Sequence, residues 1–260
     1  MSESLYEIHY YAEHFVKIAG QKIRNAMTTD LDVHTKSSVH DLVTNVDTMV
    51  EEYFVKAVKA QFPDHCIVSE EGFGDKEIHW DGFVWGIDPI DGTSNFVNKR
   101  KNFAISVGIY HEGVGQLGYI YDVMADKFYT VKRGDGIYLN GVPVPARKDR
   151  QLSDSAFYCR FNYLYENRYN LMEIVHAARD LGAMDCASLG FIELALGNVD
   201  GLIGKGNMKF WDIAAGKIFA EESGVIFQGV DGSPYTVCEE KDIIVAGPRL
   251  LEEISTRFLQ

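Results

Sequence analysis

Acidic side chains follow apolar segments at several points in this chain, an arrangement suited to binding metal ions beside a phosphate. One apolar segment leads directly into the sequence Asp88-Pro89-Ile90-Asp91-Gly92. Pro89 fixes its own φ and Gly92 permits a sharp bend, so both carboxylates can face one ion if the chain turns between them. The Ile90 carbonyl then faces the same ion as an extra ligand. Oxygen ligands without nearby His or Cys favour Mg²⁺ or Mn²⁺ over Zn²⁺, and we interpret the pattern as magnesium chemistry.

Three further acids occupy comparable places at the ends of apolar or helical segments. Glu70 and Glu71 end the apolar run of residues 66–69, and Asp212 stands at the start of a later helix-like segment. Several carboxylate oxygens around one point suit a divalent cation. Glu71 is the least determined of these acids, because an acid beside a ligand can support that ligand, bind a further ion or face solvent.

The residues after Gly92 predict a phosphate site next to the metal site. Thr93-Ser94-Asn95 can begin a helix, where unpaired backbone N–H groups and the helix dipole favour an anion. An alternative interpretation is a surface Asx turn in which the two preceding aspartates act as caps. The residues alone leave both interpretations open.

Four motifs that occur in a fixed order resemble the inositol monophosphatase family. They are Asp-Leu-Val-Thr-Asn-Val-Asp at 41–47, the pair Glu70-Glu71, the segment from Trp85 to Phe96, and Trp-Asp-Ile-Ala-Ala-Gly at 211–216. A match of several motifs with a shared mechanism, in the right order, makes coincidence a poor explanation. The resemblance spans most of the chain and implies an α-β-α-β-α sandwich that is commonly a homodimer.

The resemblance implies two or three Mg²⁺ ions per subunit, with Mn²⁺ able to substitute. The implied ligands are Glu70, Asp88, the Ile90 carbonyl, Asp91 and Asp212, with Glu71 as a further candidate. Asp88 would bridge two ions, one shared with Glu70 and Ile90 and the other shared with Asp91 and Asp212. Two cations so placed can stabilise charge on both sides of a phosphoryl group during hydrolysis.

The resemblance also implies a phosphomonoesterase that uses a metal-activated water and is inhibited by lithium. Asp47 and Thr93 match positions that orient the water, while Glu70 acts through the first metal. Without the family match, Asp47 is an ordinary capping acid at a helix start. The candidates for contact with the substrate phosphate are Gly92, Thr93, Ser94 and, in a polar loop, Lys36.

The alcohol part of the substrate is less determined than the phosphate site. In animal-type inositol phosphatases an acid that contacts inositol hydroxyls lies seven positions before the Trp-Asp aspartate, and that position here is Lys205. An ammonium group cannot accept hydrogen bonds from sugar hydroxyls, although it attracts a second phosphate or a carboxylate. The other interpretation of residues 204–207 is an exposed turn.

Several substrates therefore remain as hypotheses for one reaction. The leading one is hydrolysis of inositol 1-phosphate or a related small sugar phosphate. The alternatives are NADP 2'-phosphatase, 3'-phosphoadenosine 5'-phosphate phosphatase and fructose 1,6-bisphosphatase activity. A regulatory relative that binds protein or RNA is an alternative of another class, against which the intact ligand set and the acidic balance both count.

Composition favours a soluble enzyme with a small phosphorylated substrate. The chain has 260 residues, 46% of them hydrophobic and 24% charged, and a formal net charge of -13. This balance argues against non-specific binding to nucleic acid or anionic lipid. No signal segment is visible, no run reaches membrane-spanning length, and the scattered cysteines lack metal-ligand spacing. We therefore expect a cytoplasmic protein with no membrane contact. We expect its cysteines to be reduced, mostly buried thiols that act as small core residues.

Hydrophobic periodicity predicts an α+β fold of layered helices and sheets. The expected helices cover residues 5–23, 44–62, 164–181, 191–196, 212–222 and 249–258, and residues 28–40 form a loop or loose hairpin. Short strands are expected at 66–69, between 103 and 142 as an antiparallel sheet, and near 155–159, 201–204, 225–227 and 243–245.

A rough division near residue 150 gives two halves that pack as one catalytic unit. Residues 1–150 carry most metal ligands and the water-orienting residues, and residues 151–260 carry Asp212 and the residues that select the substrate. Because the implied ligands come from both halves, the site requires them to pack closely.

Overall fold

The computed structural model describes residues 4–28, 31–35, 42–183, 186–204, 208–236, 239 and 241–259. Within these residues the helices are α1 Leu5–Ala26, α2 Asn45–Gln61, α3 Thr93–Lys99, α4 Phe161–Tyr165, α5 Leu171–Ala177, α6 Ala187–Ala195, α7 Phe210–Glu222 and α8 Pro248–Arg257. Short 3-10 helices cover Leu152–Asp154 and Arg168–Asn170. The strands are β1 Val33–Thr35, β2 Leu42–Thr44, β3 Cys66–Ser69, β4 Phe83–Asp91, β5 Ala104–His111, β6 Val114–Asp122, β7 Lys127–Lys132, β8 Gly136–Leu139, β9 Val142–Pro143, β10 Ala156–Cys159, β11 Asp180–Ala183, β12 Gly201–Gly204, β13 Ile226–Gly229 and β14 Ile243–Ala246.

Two sheets and three groups of helices alternate as the layers α-β-α-β-α, which confirms the predicted fold class. A seven-stranded sheet follows the order β3-β4-β5-β6-β7-β8-β9, and a five-stranded sheet follows the order β11-β10-β12-β14-β13. One apolar core joins α1 and α2 to the larger sheet, and a second joins α6 and α7 to its other face. Two further cores pack α6 and α7 against one face of the smaller sheet and α4, α5 and α8 against the other.

The first two helices form where the sequence predicted them, because each has one apolar stripe and a polar start signal. In α1 the buried positions include Ile8, Ala12, Phe15, Ala19 and Ile23, which recur at helical spacing. Helix α2 begins after a threonine whose side chain accepts a hydrogen bond from the first turn. Of residues 28–40, expected as a loop or loose hairpin, the described part contains β1, which pairs antiparallel with β2 just before α2.

Helix α7 lies unusually close to the larger sheet, and a glycine permits that approach. A Cβ atom at Gly108 of β5 would come 2.5 Å from the Ala214 backbone carbon, too near for any other residue. This close packing sets the depth at which the first turn of α7, which contains Asp212, meets the end of β4.

The long helix predicted over residues 164–181 is wrong. Three residues there, Asn167, Tyr169 and Asn170, have positive φ values of 46°, 57° and 54°. These conformations end a right-handed helix, and asparagine adopts them at lower cost than most residues. The segment therefore divides into α4, a 3-10 turn and α5, and its end becomes strand β11.

A buried ion-pair network holds the segment that connects the two sheets. Asp200 is fully buried and accepts hydrogen bonds from Arg150 at 2.8 Å and from the Ala156 N–H at 3.0 Å. The Arg147 guanidinium, whose side chain is only 4% exposed, lies 3.5 Å from the same carboxylate. Burial lowers the pKa of Arg147, and the charge of Asp200 opposes that change.

We expect Asp200→Ala to lower the free energy of unfolding by about 3–5 kcal/mol, because it leaves a buried guanidinium without its carboxylate. Urea unfolding measures this loss. The matched control is Arg150→Ala, which removes a cation whose side chain is 30% exposed and keeps the buried Arg147 pair. Because Arg150 donates a 2.8 Å hydrogen bond to this buried carboxylate, we expect the control to lose about 1.5–3 kcal/mol, less than Asp200→Ala. Equal losses in the two variants would contradict the idea that the unpaired Arg147 guanidinium causes most of the loss.

Other sequence predictions concern membranes and cysteines. Among the described residues, no helix combines the length and apolarity needed to cross a membrane. Cys66, Cys159 and Cys186 are buried free thiols, as predicted, while Cys238 lies outside the described residues. The division near residue 150 remains a prediction.

Candidate active site

Both aspartates of the central motif lie in strand β4, and a β-bulge turns them to the same side. In the pairing with β5, Asp88 is opposite Ser106 but Asp91 is opposite Ala104, so β4 has one extra residue between these pairs. In a regular strand, residues three positions apart face opposite sides, and the extra residue removes that conflict. The sequence predicted a turn after the strand, whereas the bend lies within it, beside Pro89, which has no N–H for the ladder.

Acidic side chains from four positions act electrostatically on Asp88. These acids are Glu70, Asp91, Asp212 and Asp47. Burial is the first cause that raises the pKa of Asp88 well above its usual value, and these four charges add to it. Burial also raises the pKa of Asp212 to about 7 and that of Asp47 to about 6. The structure therefore brings together five of the acids that the sequence singled out.

This donor set fits hard divalent cations. Buried carboxylates that repel one another are unfavourable, and bound cations offset both the burial and the repulsion. Carboxylate oxygens are the ligands that Mg²⁺ uses in proteins. Among the described residues, no group of three or more His, Cys, Asp or Glu side chains is placed so that it could hold a metal ion without rearrangement. These acids therefore suit a divalent cation through their combined negative charge and through their oxygen atoms as ligands.

Asp47 both caps helix α2 and contacts Thr93. Its Oδ2 atom accepts hydrogen bonds from the Thr44 N–H at 2.9 Å and from the Thr44 hydroxyl at 2.5 Å. Its Oδ1 atom lies 3.3 Å from the Thr93 hydroxyl, which is also 3.1 Å from the Ile90 carbonyl oxygen. Capping and the proposed catalytic contact use different oxygens, so the two interpretations of Asp47 are compatible.

Helix α3 begins at the predicted phosphate site. Gly92 precedes it with φ 87°, a left-handed conformation that favours glycine. Its carbonyl accepts hydrogen bonds from the N–H groups of Asn95 and Phe96. The backbone N–H of Asn95, which the sequence predicted as a phosphate donor, is therefore used within the helix. The backbone N–H groups of Thr93 and Ser94 precede the first intrahelical hydrogen bond.

The N-terminus of helix α6, from the second half of the chain, contacts Asp91. The Ala187 N–H donates to Asp91 Oδ1 at 3.3 Å, and the Ser188 N–H donates to Oδ2. The Cys186 thiol lies 3.3 Å from Oδ2, and burial together with the Asp91 charge raises its pKa well above the usual value. The sequence predicted Cys186 only as a small core residue, because its spacing from other residues gives no signal of this contact.

The remaining candidates lie at segment ends. The Asp212 carboxylate accepts a hydrogen bond from the Lys209 N–H at 2.7 Å, in the first turn of α7. Glu70 and Glu71 follow β3 directly and are partly exposed, and Ser94 is exposed. Lys36 and Lys205, proposed as contacts for the substrate, lie outside the described residues, as does Asp41 of the first motif.

Sequence reasoning missed Glu51, a buried acid on α2. Its carboxylate accepts hydrogen bonds from Ser69, Glu71 and Phe73, around the end of β3. The only sequence signal was its position four residues after Asp47, on the same face of a helix. An acid at that spacing is normally part of a solvated face, which is why it drew no attention.

Comparison with known families adds to this geometry. The model of the inositol monophosphatase family matches residues 4–259. The chain belongs to the inositol monophosphatase family. As a member of this family, it is a phosphatase that hydrolyses phosphoric monoesters.

Individual relatives match over nearly the whole chain. The chain is 35% identical over 257 residues to inositol-1-monophosphatase of Bacillus subtilis, which covers 97% of both chains. It is similar to the 2'AMP-bound structure of SaIMPase-II from Staphylococcus aureus, with a TM-score of 0.87 and 33% identity over 97% of this chain and 94% of that one. It is also similar to an IMPase/NADP phosphatase complexed with Mg²⁺ and phosphate, with a TM-score of 0.89 and 25% identity over 98% of this chain and 95% of that one.

Proposed function

We propose that the protein is a Mg²⁺-dependent phosphomonoesterase that hydrolyses inositol 1-phosphate or a related small sugar phosphate. The observation that carries this proposal is the buried Asp88 carboxylate, on which four further acids act electrostatically. The matched Bacillus subtilis relative, an inositol-1-monophosphatase, supports the choice of substrate. The structure complexed with Mg²⁺ and phosphate supports the choice of metal.

The residues present would hold two ions, with Asp88 contributing to both. We assign Glu70 and the Ile90 carbonyl to one ion and Asp91 and Asp212 to the other, with Glu71 as a candidate for a third. When bound, the ions supply positive charge that polarises the phosphoryl oxygens and stabilises the leaving alkoxide. Mn²⁺ is expected to replace Mg²⁺, since both prefer oxygen ligands.

Thr93 and Asp47 orient the attacking water in this proposal. The Thr93 hydroxyl lies 3.1 Å from the Ile90 carbonyl oxygen and 3.3 Å from Asp47 Oδ1. Because the proposal uses the Ile90 carbonyl as a metal ligand, the single hydroxyl proton would be donated to Asp47. The threonine oxygen is then left to accept a hydrogen bond from water and to fix its direction of attack. Asp47 stays in place because Thr44 holds its other oxygen.

The start of helix α3 binds the phosphate in this proposal. The amides of Thr93 and Ser94 and the flexible backbone of Gly92 lie directly after the metal-binding aspartates of β4. Backbone N–H groups at a helix start favour negative charge. Lys36 adds a cation by family resemblance.

The raised carboxyl pKa values predict that Mg²⁺ affinity depends on pH. Asp212, with a pKa of about 7, holds a proton below that pH, and Mg²⁺ must displace it. Affinity therefore falls as the pH drops through the raised pKa, and we expect binding about tenfold weaker at pH near 6 than at pH near 8. Calorimetric titration of the metal-free protein measures this difference. Equal Mg²⁺ affinity at both pH values would contradict the idea that Mg²⁺ displaces a proton from Asp212.

The direct test is phosphate release from a panel of substrates, each with Mg²⁺ or with EDTA. The panel contains inositol 1-phosphate, fructose 1,6-bisphosphate, NADP and 3'-phosphoadenosine 5'-phosphate. Asp88→Asn, purified in parallel, controls for contaminating phosphatases. The proposal expects Mg²⁺-dependent release with the highest kcat/KM for inositol 1-phosphate. Absence of release from every substrate would contradict it.

A nucleotide 2'-phosphatase is the second candidate, and a specific observation favours it. Two matched structures are a 2'AMP complex and an IMPase/NADP phosphatase. Lys205, in place of the family's acid, suits a substrate with a second phosphate. A kcat/KM for NADP above that for inositol 1-phosphate would select this candidate.

Three further properties accompany the proposal. We infer a homodimer and inhibition by lithium from the family resemblance. We infer a cytoplasmic location from the wide spacing of the four cysteines, which favours reduced thiols over disulfides.

A further inference from the structure

Glu51 is a buried acid that the proposed reaction does not use. It lies on α2, one helical turn after Asp47, and its exposed fraction is 0%. Its Oε1 atom accepts hydrogen bonds from the Ser69 hydroxyl at 2.7 Å and from the Phe73 N–H at 2.9 Å. Its Oε2 atom accepts a hydrogen bond from the Glu71 N–H at 2.6 Å. A buried carboxylate is unfavourable unless such donors surround it.

The three donors lie on both sides of Glu70 in the chain. Ser69 precedes it as the last residue of β3, while Glu71 and Phe73 follow it. Gly72, with φ 84°, lets the chain fold back so that both later amides face the same carboxylate. One side chain on α2 therefore fixes the backbone immediately before and after Glu70.

We propose that Glu51 is a positioning residue that holds the Glu70 carboxylate in place to bind Mg²⁺. This inference rests on the proposed function, in which Glu70 binds the metal. Residues four apart share one face of a helix. A single rigid element thus sets the distance between the water-orienting Asp47 and the ligand Glu70.

The negative charge of Glu51, and its ability to accept hydrogen bonds with both oxygens, matter for this role. A carboxylate only accepts hydrogen bonds, whereas Gln has one accepting oxygen and an NH₂ group that donates. In Glu51→Gln, that NH₂ group must face either the Glu71 N–H or the pair formed by the Ser69 hydroxyl and the Phe73 N–H. Either orientation places donors against each other, and at least one hydrogen bond is lost. Because hydrogen bonds to a charged acceptor are about twice as strong as neutral ones, the loop also loses strength in the contacts that remain.

The test compares Glu51→Gln with Glu52→Gln in the full chain. Glu52 is the next residue, and its side chain is 40% exposed and pairs with Lys56 at 2.8 Å. Both variants lose one negative charge from the same helix, but only one loses the contacts around Glu70. Calorimetry measures Mg²⁺ affinity directly, and kinetics with the best substrate gives kcat at saturating Mg²⁺.

We expect Glu51→Gln to bind Mg²⁺ about 10–100-fold more weakly, the usual effect of losing a group that supports a metal ligand. Its kcat should recover largely at saturating Mg²⁺, and Glu52→Gln should match the wild type in both. Faster hydrogen exchange of the Glu71 and Phe73 amides should accompany the weaker binding. A folded Glu51→Gln with unchanged Mg²⁺ affinity would overturn the inference.

A second variant keeps the inference testable if Glu51→Gln does not fold. Ser69→Ala removes one of the three donors and is expected to weaken Mg²⁺ binding in the same direction but less. Unchanged affinity in Ser69→Ala would then overturn the role of Glu51. Failure of the wild type to bind Mg²⁺ would instead overturn the proposed function, so the two failures are distinct.

Discussion

Asp88→Asn is expected to lower kcat/KM by about 10³-fold, because several kcal/mol of charge stabilisation depend on the shared metal ligand. Burial, and then the charges of four neighbouring acids, raise the pKa of Asp88, which would hold both proposed ions. Asparagine keeps the shape and the oxygen that accepts the Ile90 N–H at 3.0 Å. The substitution therefore removes charge while the bulge of β4 remains. Kinetics across a Mg²⁺ series measures the loss.

The same variant should make the metal-free protein more stable. Burial and neighbouring charges raise the pKa of Asp88, so its ionised form is unfavourable in the fold without cations. Removal of that charge is expected to raise Tm in EDTA while Mg²⁺ no longer stabilises the protein. The matched control, Asp81→Asn, changes an exposed acid just before β4 and should leave both properties unchanged. Normal turnover in Asp88→Asn would rule out the proposed ligand set.

The order of the elements could be predicted largely from local patterns. Helix α1 and helix α2 follow from apolar residues at helical spacing and from a threonine cap. The prediction of one helix over residues 164–181 was wrong, because the helical spacing of apolar residues continues across residues that adopt positive φ. Side-chain pattern alone does not show where the backbone leaves the helical region.

The site residues were predicted from motifs, but their geometry was not. The spacing of Asp88 and Asp91 suggested a turn, whereas an extra residue in the pairing of β4 with β5 brings them to one face. Register between strands depends on the partner strand, which lies elsewhere in the sequence. The motifs therefore predict the candidate ligands but not the bulge that aligns them.

Residues that support the site were missed because their partners are distant in the chain. Glu51 contacts residues 18 to 22 positions away, and Cys186 contacts Asp91 from 95 positions away. Neither residue belongs to a motif. In the sequence, Glu51 resembles a common surface acid and Cys186 resembles a common core thiol. Their roles arise only from tertiary packing, which brings α2 to the end of β3 and α6 to the end of β4.

Thr93→Val is expected to lower kcat by about 10²–10⁴-fold, the usual contribution of a group that transfers or directs a proton. The Thr93 hydroxyl lies 3.3 Å from Asp47 Oδ1 and 3.1 Å from the Ile90 carbonyl oxygen, and no other atom of the side chain can replace it. Valine has nearly the same shape but no hydroxyl. The capping contacts between Asp47 and Thr44 use the other carboxylate oxygen, so helix α2 should remain stable.

The discriminating result is loss of kcat with unchanged Mg²⁺ affinity. Thr93 contributes no proposed metal ligand, so calorimetry should give the same affinity for Thr93→Val as for the wild type. Ser94→Ala is the matched control, because it keeps the backbone N–H proposed to bind phosphate and removes only an exposed hydroxyl that contacts Asn98. A kcat within about twofold of wild type in Thr93→Val would show that the water is oriented by another group. Equal losses in both variants would instead indicate that the start of α3, rather than the Thr93 hydroxyl, controls the reaction.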